Sequence, residues 1–297
     1  MANTLWTPEQ AARSTLAALR WLTTLPRTVR QDFSQEFVAG RGQTINVRKP
    51  ISAGTAHTYG PTQRAARTAI TFNELTETWV PVTMDTQVYN AIRLPDDFAT
   101  FNLESLERQV LRPQAESVVD ELTAPLVDEM EAIASAAGLE IAANGANALA
   151  VVTKARRILN ERKVPFADRY LAVGTGVAEQ LLNLDQLTKV NEAGTDGALR
   201  EGIIGRLRGF TVIEDPALED DFGVAYHRDA FAHVTRPSRQ PEGAAKSATV
   251  AQDGYALRWI QHYNPLQLED QSVVDTFVGA TTLDATRAVS LTVAAGA

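Results

Sequence analysis

The chain has no cysteine in its 297 residues. That excludes a disulfide framework, a thiolate metal site and a cysteine nucleophile. Its four histidines, His57, His227, His233 and His262, show none of the close spacings of a zinc site. No metal or other cofactor is expected. No run of about 18 apolar residues occurs, so no membrane span is expected. Met1 to Leu25 is amphipathic and contains Arg13 and Arg20. It lacks the apolar core and small-residue cleavage site of a signal peptide, which points to a cytosolic protein. There is no Walker-type Gly-Lys-Ser/Thr and no Gly-x-Ser-x-Gly elbow. Lysine is scarce at the front: Lys49 is the only one in residues 1–100.

What is present is globular in texture, at 44% hydrophobic and 22% charged residues. The length suits one large or two ordinary domains. The net charge of −8 hides an asymmetry. Residues 1–67 carry nine Arg or Lys against three acids; residues 68–142 carry three Arg against fourteen acids. Ordinary solvated faces would account for this. Nucleic acid is a second partner for the basic part, although the acidic total argues against a dedicated binder. In a third reading, the basic part of one copy meets the acidic part of another, since complementary potentials fix register between partners.

The strongest periodicity runs from Phe101 to Gly138. Leu103, Leu106, Val110, Val118, Val119, Leu122, Leu126, Met130, Ile133 and Ala137 fall at steps of three and four, which predicts one long acidic helix or two or three short ones. Pro113 and Pro125 are expected to bend it, and Gly138 to end it.

Thr7-Pro8-Glu9-Gln10 is a helix start, and Pro26 is expected to close that helix. Arg27 to Phe37 has no period and reads as an arm. Residues 41–50 read as turn then strand, and Ser52 to Arg67 as a loop. Ala69 to Leu94 is strand material, with Pro81 at an edge or bulge. A two-stranded ribbon of this kind is marginal alone in water, so it needs support from a neighbour or from a larger sheet. Beyond Gly138, a helix at 147–163, a strand at 169–173, a short helix at 177–182 and two short strands within 202–213 make an α+β or α/β module. The chain from Phe222 is mostly β.

Gly174-Thr175-Gly176 after a strand has the setting of a dinucleotide fingerprint, but Glu179 stands where the third glycine should be. A tight β–α turn is the alternative use of these glycines. His227 with Asp229, and His233 beyond, admit a base with an orienting acid, or polar residues at a strand end. Glu219-Asp220-Asp221 reads as a solvated acidic turn, since a hard-metal site needs ligands converging from several places.

Phe37 to Pro50, the strand-to-helix passage through Asp128, Leu199 to Leu218, Tyr226 to Pro237 and Gly254 to Tyr263 together resemble the major capsid (coat) proteins of tailed bacteriophages. That family has the Hong Kong 97-type fold, and the likeness is strongest to the branch of the Salmonella-phage coat proteins. The resemblance implies an α+β chain in four parts. These are an N-terminal arm (1–37), an extended β-hairpin loop lying across a neighbour (38–98), a peripheral domain with a spine helix (99–138 and 222–297) and an axial domain (139–221).

It further implies a structural protein of the virion rather than an enzyme. Copies would assemble in the host cytoplasm as pentamers and hexamers into an icosahedral shell enclosing DNA without reading its sequence. A separate scaffolding protein, a portal and a decoration protein are the partners implied. Only about forty residues precede the loop strand, so any scaffold is expected to be a separate chain or absent. Arg41, Arg48 and Lys49 are expected to meet Glu74, Glu77, Asp120 or Glu121 of another copy. The alternatives are an encapsulin-like compartment shell of the same fold and a nucleotide-binding enzyme using Gly174–Glu179.

Overall fold

The computed structural model describes residues 7–33, 42–49, 56–75, 77–101, 105–182, 203–244, 246–252 and 254–294. The predicted site residue Arg41 lies outside them.

The first helix, α1 (Pro8–Leu22), starts as its sequence dictates. Thr7 accepts from the Gln10 N–H while the Gln10 side chain accepts from the Thr7 N–H, a complete capping box. It ends at Thr23, short of Pro26, which instead sits in a 3₁₀ turn at Leu25–Thr28. These residues, expected as part of an arm, are packed. Ala11, Ala12, Leu16 and Leu19 are buried against the body, as are Leu25, Val29 and Phe33.

Strands β1 (Thr44–Arg48) and β2 (Trp79–Thr83) pair antiparallel as an isolated two-stranded ribbon. Pro81 lies opposite Asn46 in this ribbon, where both strands are edges and its missing N–H costs no ladder bond to a third strand. Between the strands lies a one-and-a-half-turn helix, α2 (Pro61–Ala66). The expected strand from Ala69 is not formed: described residues 68–75 are irregular and exposed. Strand β3 (Thr86–Pro95) leaves the ribbon and joins the body, so the hairpin proper closes at Thr83. Helix α3 (Asp96–Phe101) follows.

The long helix is shorter and less regular than its pattern predicts. A π-helical turn covers Glu107–Leu111, with the Arg112 N–H bonded to the Glu107 carbonyl, and α4 continues from Arg112 to Glu131. The wide turn fits Pro113, which has no N–H to return to the carbonyl four residues back. Pro125 lies inside α4 without ending it.

Gly138 does not stop the helix. The chain turns at Ala132, and Ser135–Ile141 is strand β4, with Gly138 at φ +74° where the pairing register shifts. Leu139 and Ile141, both buried, have the alternating period of a strand. Ile133 and Ala137 therefore belong outside the helical stripe.

The remaining elements follow in order: α5 (Ala148–Glu161), β5 (Arg169–Val173), α6 (Thr175–Leu182), β6 (Ile203–Leu207), β7 (Phe210–Glu214), β8 (Phe222–His227), β9 (Phe231–Arg236), β10 (Lys246–Gln252), β11 (Tyr255–Asn264), β12 (Glu269–Thr282) and β13 (Ala288–Val293). They make two body sheets. One has the order β10-β11-β12-β3, with β9 on the far part of β12. The other has the order β4-β13-β8-β5-β7-β6. The second sheet crosses the expected boundary at residue 222, because β8 and β13 are its central strands.

The spine helix ties the sheets together. Leu111, Ala115, Val118 and Leu122 pack with α1 on one face of the first sheet, around Trp259, Leu257 and Val274. Leu126, Val127 and Met130 pack against Val224 and Tyr226 of the second sheet, with Phe231 at the start of β9 beside them. Helices α5 and α6 cover that sheet's other face. Pro125 falls between the two sets, where the helix passes from one sheet to the other.

Candidate functional site

The acid–base candidates do not converge. His227 Nδ1 accepts from the Asp229 N–H at 3.1 Å, and the Asp229 carboxylate turns to Arg287 at 3.2 Å. Burial holds His227 below its ordinary pKa against the pull of Asp229. His233 is fully buried on another element, its Nε2 3.1 Å from the Leu122 carbonyl, and burial pushes its pKa down to about 4. Among the described residues, no group of three His, Cys, Asp or Glu is placed to hold a metal ion.

The Gly174–Glu179 turn is filled by the protein itself. A Cβ on Gly174 would lie 2.0 Å from the Glu219 carbonyl oxygen, and one on Gly176 2.8 Å from that of Asp220. The Val177 N–H donates to the Asp220 carbonyl at 3.0 Å, and the Thr175 hydroxyl bonds the Asp220 carboxylate. A pyrophosphate at this helix start would meet a carboxylate and two carbonyls in place of free N–H groups. The glycines serve a close strand–helix packing against the 219–220 backbone.

The surfaces that remain are of two kinds. The first is the extended hairpin. Val47, Val82 and Met84 root it in an apolar cluster with Phe33, Ala232, Val234 and Leu283. Beyond that root it carries Ile70, Phe72, Leu75 and Trp79 at 62%, 82%, 67% and 54% exposure. Four large apolar side chains this open on one limb are unusual for a surface covered only by water. The second is α4's outer side, where Glu116, Asp120, Glu121 and Asp128 are exposed, with Arg112 3.1 Å from Glu116.

The predicted interface residues are placed as follows. Arg48 pairs with Glu77 across the outer end of its own β1–β2 ribbon. Lys49 lies 4.0 Å from Asp284, a partner the sequence did not suggest. Glu74, Asp120 and Glu121 are exposed and form no ion pair with a described residue. The sequence reading also missed the apolar hairpin limb. Ile70 and Phe72 lie in the 69–94 stretch that reads as strand material, whereas their exposure is the informative property.

A second polar network crosses the first sheet. Arg258 makes a bidentate pair with Asp275, at 2.7 and 2.8 Å, and Ser238 and Gln87 also reach that carboxylate. It fixes the segment around Ser238 and Arg239 to the sheet rather than forming a reactive site.

No protein-family model and no curated protein matches the chain. Solved structures do. That of Mycobacterium phage Che8 matches with a TM-score of 0.65 at 18% identity, over 98% of this chain and 94% of that one. The capsid of cyanophage P-SCSP1u matches at 0.57 and 13% identity, over 86% and 85%. A virus-like particle from Pyrococcus furiosus matches at 0.53 and 10% identity, over 95% and 97%. The fold is the Hong Kong 97-type α+β fold.

Proposed function

We propose that this chain is the major capsid protein of a tailed bacteriophage, self-assembling as pentamers and hexamers into an icosahedral shell around double-stranded DNA. The observation that carries the reading is a full-length fold shared with phage capsid shells, joined to a rooted hairpin with an unpartnered apolar limb. A ribbon of two strands cannot bury Ile70, Phe72, Leu75 and Trp79 by itself. A neighbouring copy is the cover this reading supplies.

In this account 1–37 is the arm, 38–98 the extended loop, 99–138 with 222–297 the peripheral domain and 139–221 the axial domain. Strands β8 and β13 are shared with the axial sheet. The chain does no chemistry, and its work is many modest contacts that symmetry closes. Glu74, Asp120 and Glu121 receive basic residues of a neighbour, with Arg41 as donor. Arg48 and Lys49 join in only by exchanging Glu77 and Asp284. A separate scaffolding protein, a portal and a decoration protein complete the particle, which forms in the host cytoplasm. The Salmonella-phage coat branch is the part of the family this reading favours, on the sequence likeness of residues 37–50, the strand-to-helix passage through Asp128, and residues 199–218, 226–237 and 254–263.

A compartment shell of the same fold is the second reading, favoured by the near-complete overlap with the archaeal virus-like particle. Nuclease-protected DNA in purified particles supports the capsid, and an enclosed enzyme supports the compartment. Phe72→Ser tests the hairpin. Since Phe72 is 82% exposed, subunit stability should change by less than about 0.5 kcal/mol while sedimenting particles are lost. Unimpaired assembly would remove the hairpin from the interface.

A further inference from the structure

Two of the connections between the body sheets run side by side. One is the turn Arg228–Ala230, between β8 and β9; the other is the stretch 283–287, between β12 and β13. Their backbones touch, with the Leu283 N–H donating to the Ala230 carbonyl at 2.8 Å. A row of charges of alternating sign crosses them. Lys49 lies 4.0 Å from Asp284, Asp284 lies 3.2 Å from Arg287, and Arg287 lies 3.2 Å from Asp229. Arg30 then lies 3.8 Å from Asp229 and 3.3 Å from Asp32.

One end of the row belongs to the extended hairpin and the other to the N-terminal segment packed along β9. Lys49 lies just past the outer end of the β1–β2 ribbon, where its N–H holds the Thr78 carbonyl at 2.8 Å. Arg30 belongs to the N-terminal segment, bridged to Ala232. Arg287 is the keystone, since its Nε takes one carboxylate and its Nη1 the other. Side-chain exposures of 21–33% from Lys49 to Arg30 shelter the row from full solvent screening without sealing it off from salt. Burial raises the Asp284 carboxyl, but the Thr286 hydroxyl and N–H, Lys49 and Arg287 together hold it below its ordinary pKa.

We propose that Lys49, Asp284, Arg287 and Asp229 form an ionic latch that couples the direction of the extended hairpin to the junction between the two sheets. With the latch closed, hairpin and junction are set together. With it weakened, by ionic strength or by loss of one charge, the hairpin swings about its apolar root at Val47, Val82 and Met84. This gives one sequence several subunit shapes, and it stands whatever the assembly encloses.

The absence of cysteine allows clean labelling of the full chain. Spin labels at Thr62→Cys and Thr249→Cys report hairpin against first sheet; Thr153→Cys with Thr249→Cys reports sheet against sheet. All three positions are exposed. Distance distributions are compared for the unassembled chain at 50 mM and 1 M NaCl. At low salt, Lys49→Gln should broaden the hairpin distance about twofold and leave the sheet distance unchanged. Arg287→Gln should broaden both, and high salt should bring the unsubstituted chain to the same widths. If Arg287→Gln does not fold, the salt series on the unsubstituted chain reads the same coupling. A hairpin distance indifferent to both Lys49→Gln and salt would overturn the latch, leaving the apolar root as the sole hold.

Discussion

Acidification should weaken the unassembled subunit through one side chain beneath the spine helix. His233 is fully buried, with its Nε2 on the Leu122 carbonyl and no partner at Nδ1. Leu122 lies three residues before Pro125, where a missing N–H loosens the helix ladder and leaves carbonyls open to an outside donor. A proton on Nδ1 would have no acceptor. Burial accordingly lowers the pKa to about 4 from an ordinary 6.5.

Above pH 6.5 the ring is neutral in both folded and unfolded chains and contributes no pH dependence. Between 6.5 and about 4 the unfolded chain takes up a proton that the folded chain refuses, so stability falls as the pH falls. Below about 4 the loss saturates. The gap corresponds to about 3 kcal/mol, or roughly 5 °C in Tm for a chain of 297 residues. His227, also lowered by burial, pulls the same way, so the assay is a difference. Thermal unfolding is followed from pH 7 to 4 for the unsubstituted chain and for His233→Gln, whose amide can still donate to Leu122. The variant should lose markedly less stability over this window. Parallel curves for the two proteins would refute the assignment of a neutral, acceptor-less His233.

Other perturbations follow from single contacts. Gly279→Ala places a Cβ 2.1 Å from the Thr83 carbonyl, forcing β12 away from the hairpin root; calorimetry should show a loss of about 1–3 kcal/mol. Arg258→Met strands the Asp275 carboxylate, which is 2% exposed, and should cost about 3–5 kcal/mol in urea unfolding. Thr7→Ala removes half of the capping box and should cost about 1 kcal/mol, read as faster amide exchange in the first turn of α1.

Local chemistry made much of this fold readable. Thr7-Pro8 announces α1, the spaced apolar residues of 148–161 announce α5, and Arg208-Gly209, at φ +51° and +90°, make the two-residue turn between β6 and β7. What could not be read depends on distant partners. The spine pattern continued through Ile133 and Ala137 because alanines fit either period, and only pairing with β13 turns 135–141 into a strand. Pairing with β3 and β11 likewise extends β12 well beyond its β-branched centre at 273–278.

The interface residues divide in the same way. Their charge was legible, but the pairing of Arg48 with Glu77 and of Lys49 with Asp284 required knowing where the hairpin root lies. The latch was invisible in the sequence because its members come from three separate stretches. The spine helix keeps its central role with a narrower meaning, as a tie that passes from one sheet to the other at Pro125 rather than a rod of uniform contact.

The central claim is that this chain builds closed shells through its hairpin. Electron cryo-microscopy of the purified protein tests it most directly. The account predicts hollow particles with five-fold vertices, in which residues 44–83 of each copy lie on a neighbour and cover Ile70, Phe72, Leu75 and Trp79. A uniform monomer or small oligomer across salt conditions, or shells in which that limb faces solvent, would contradict it.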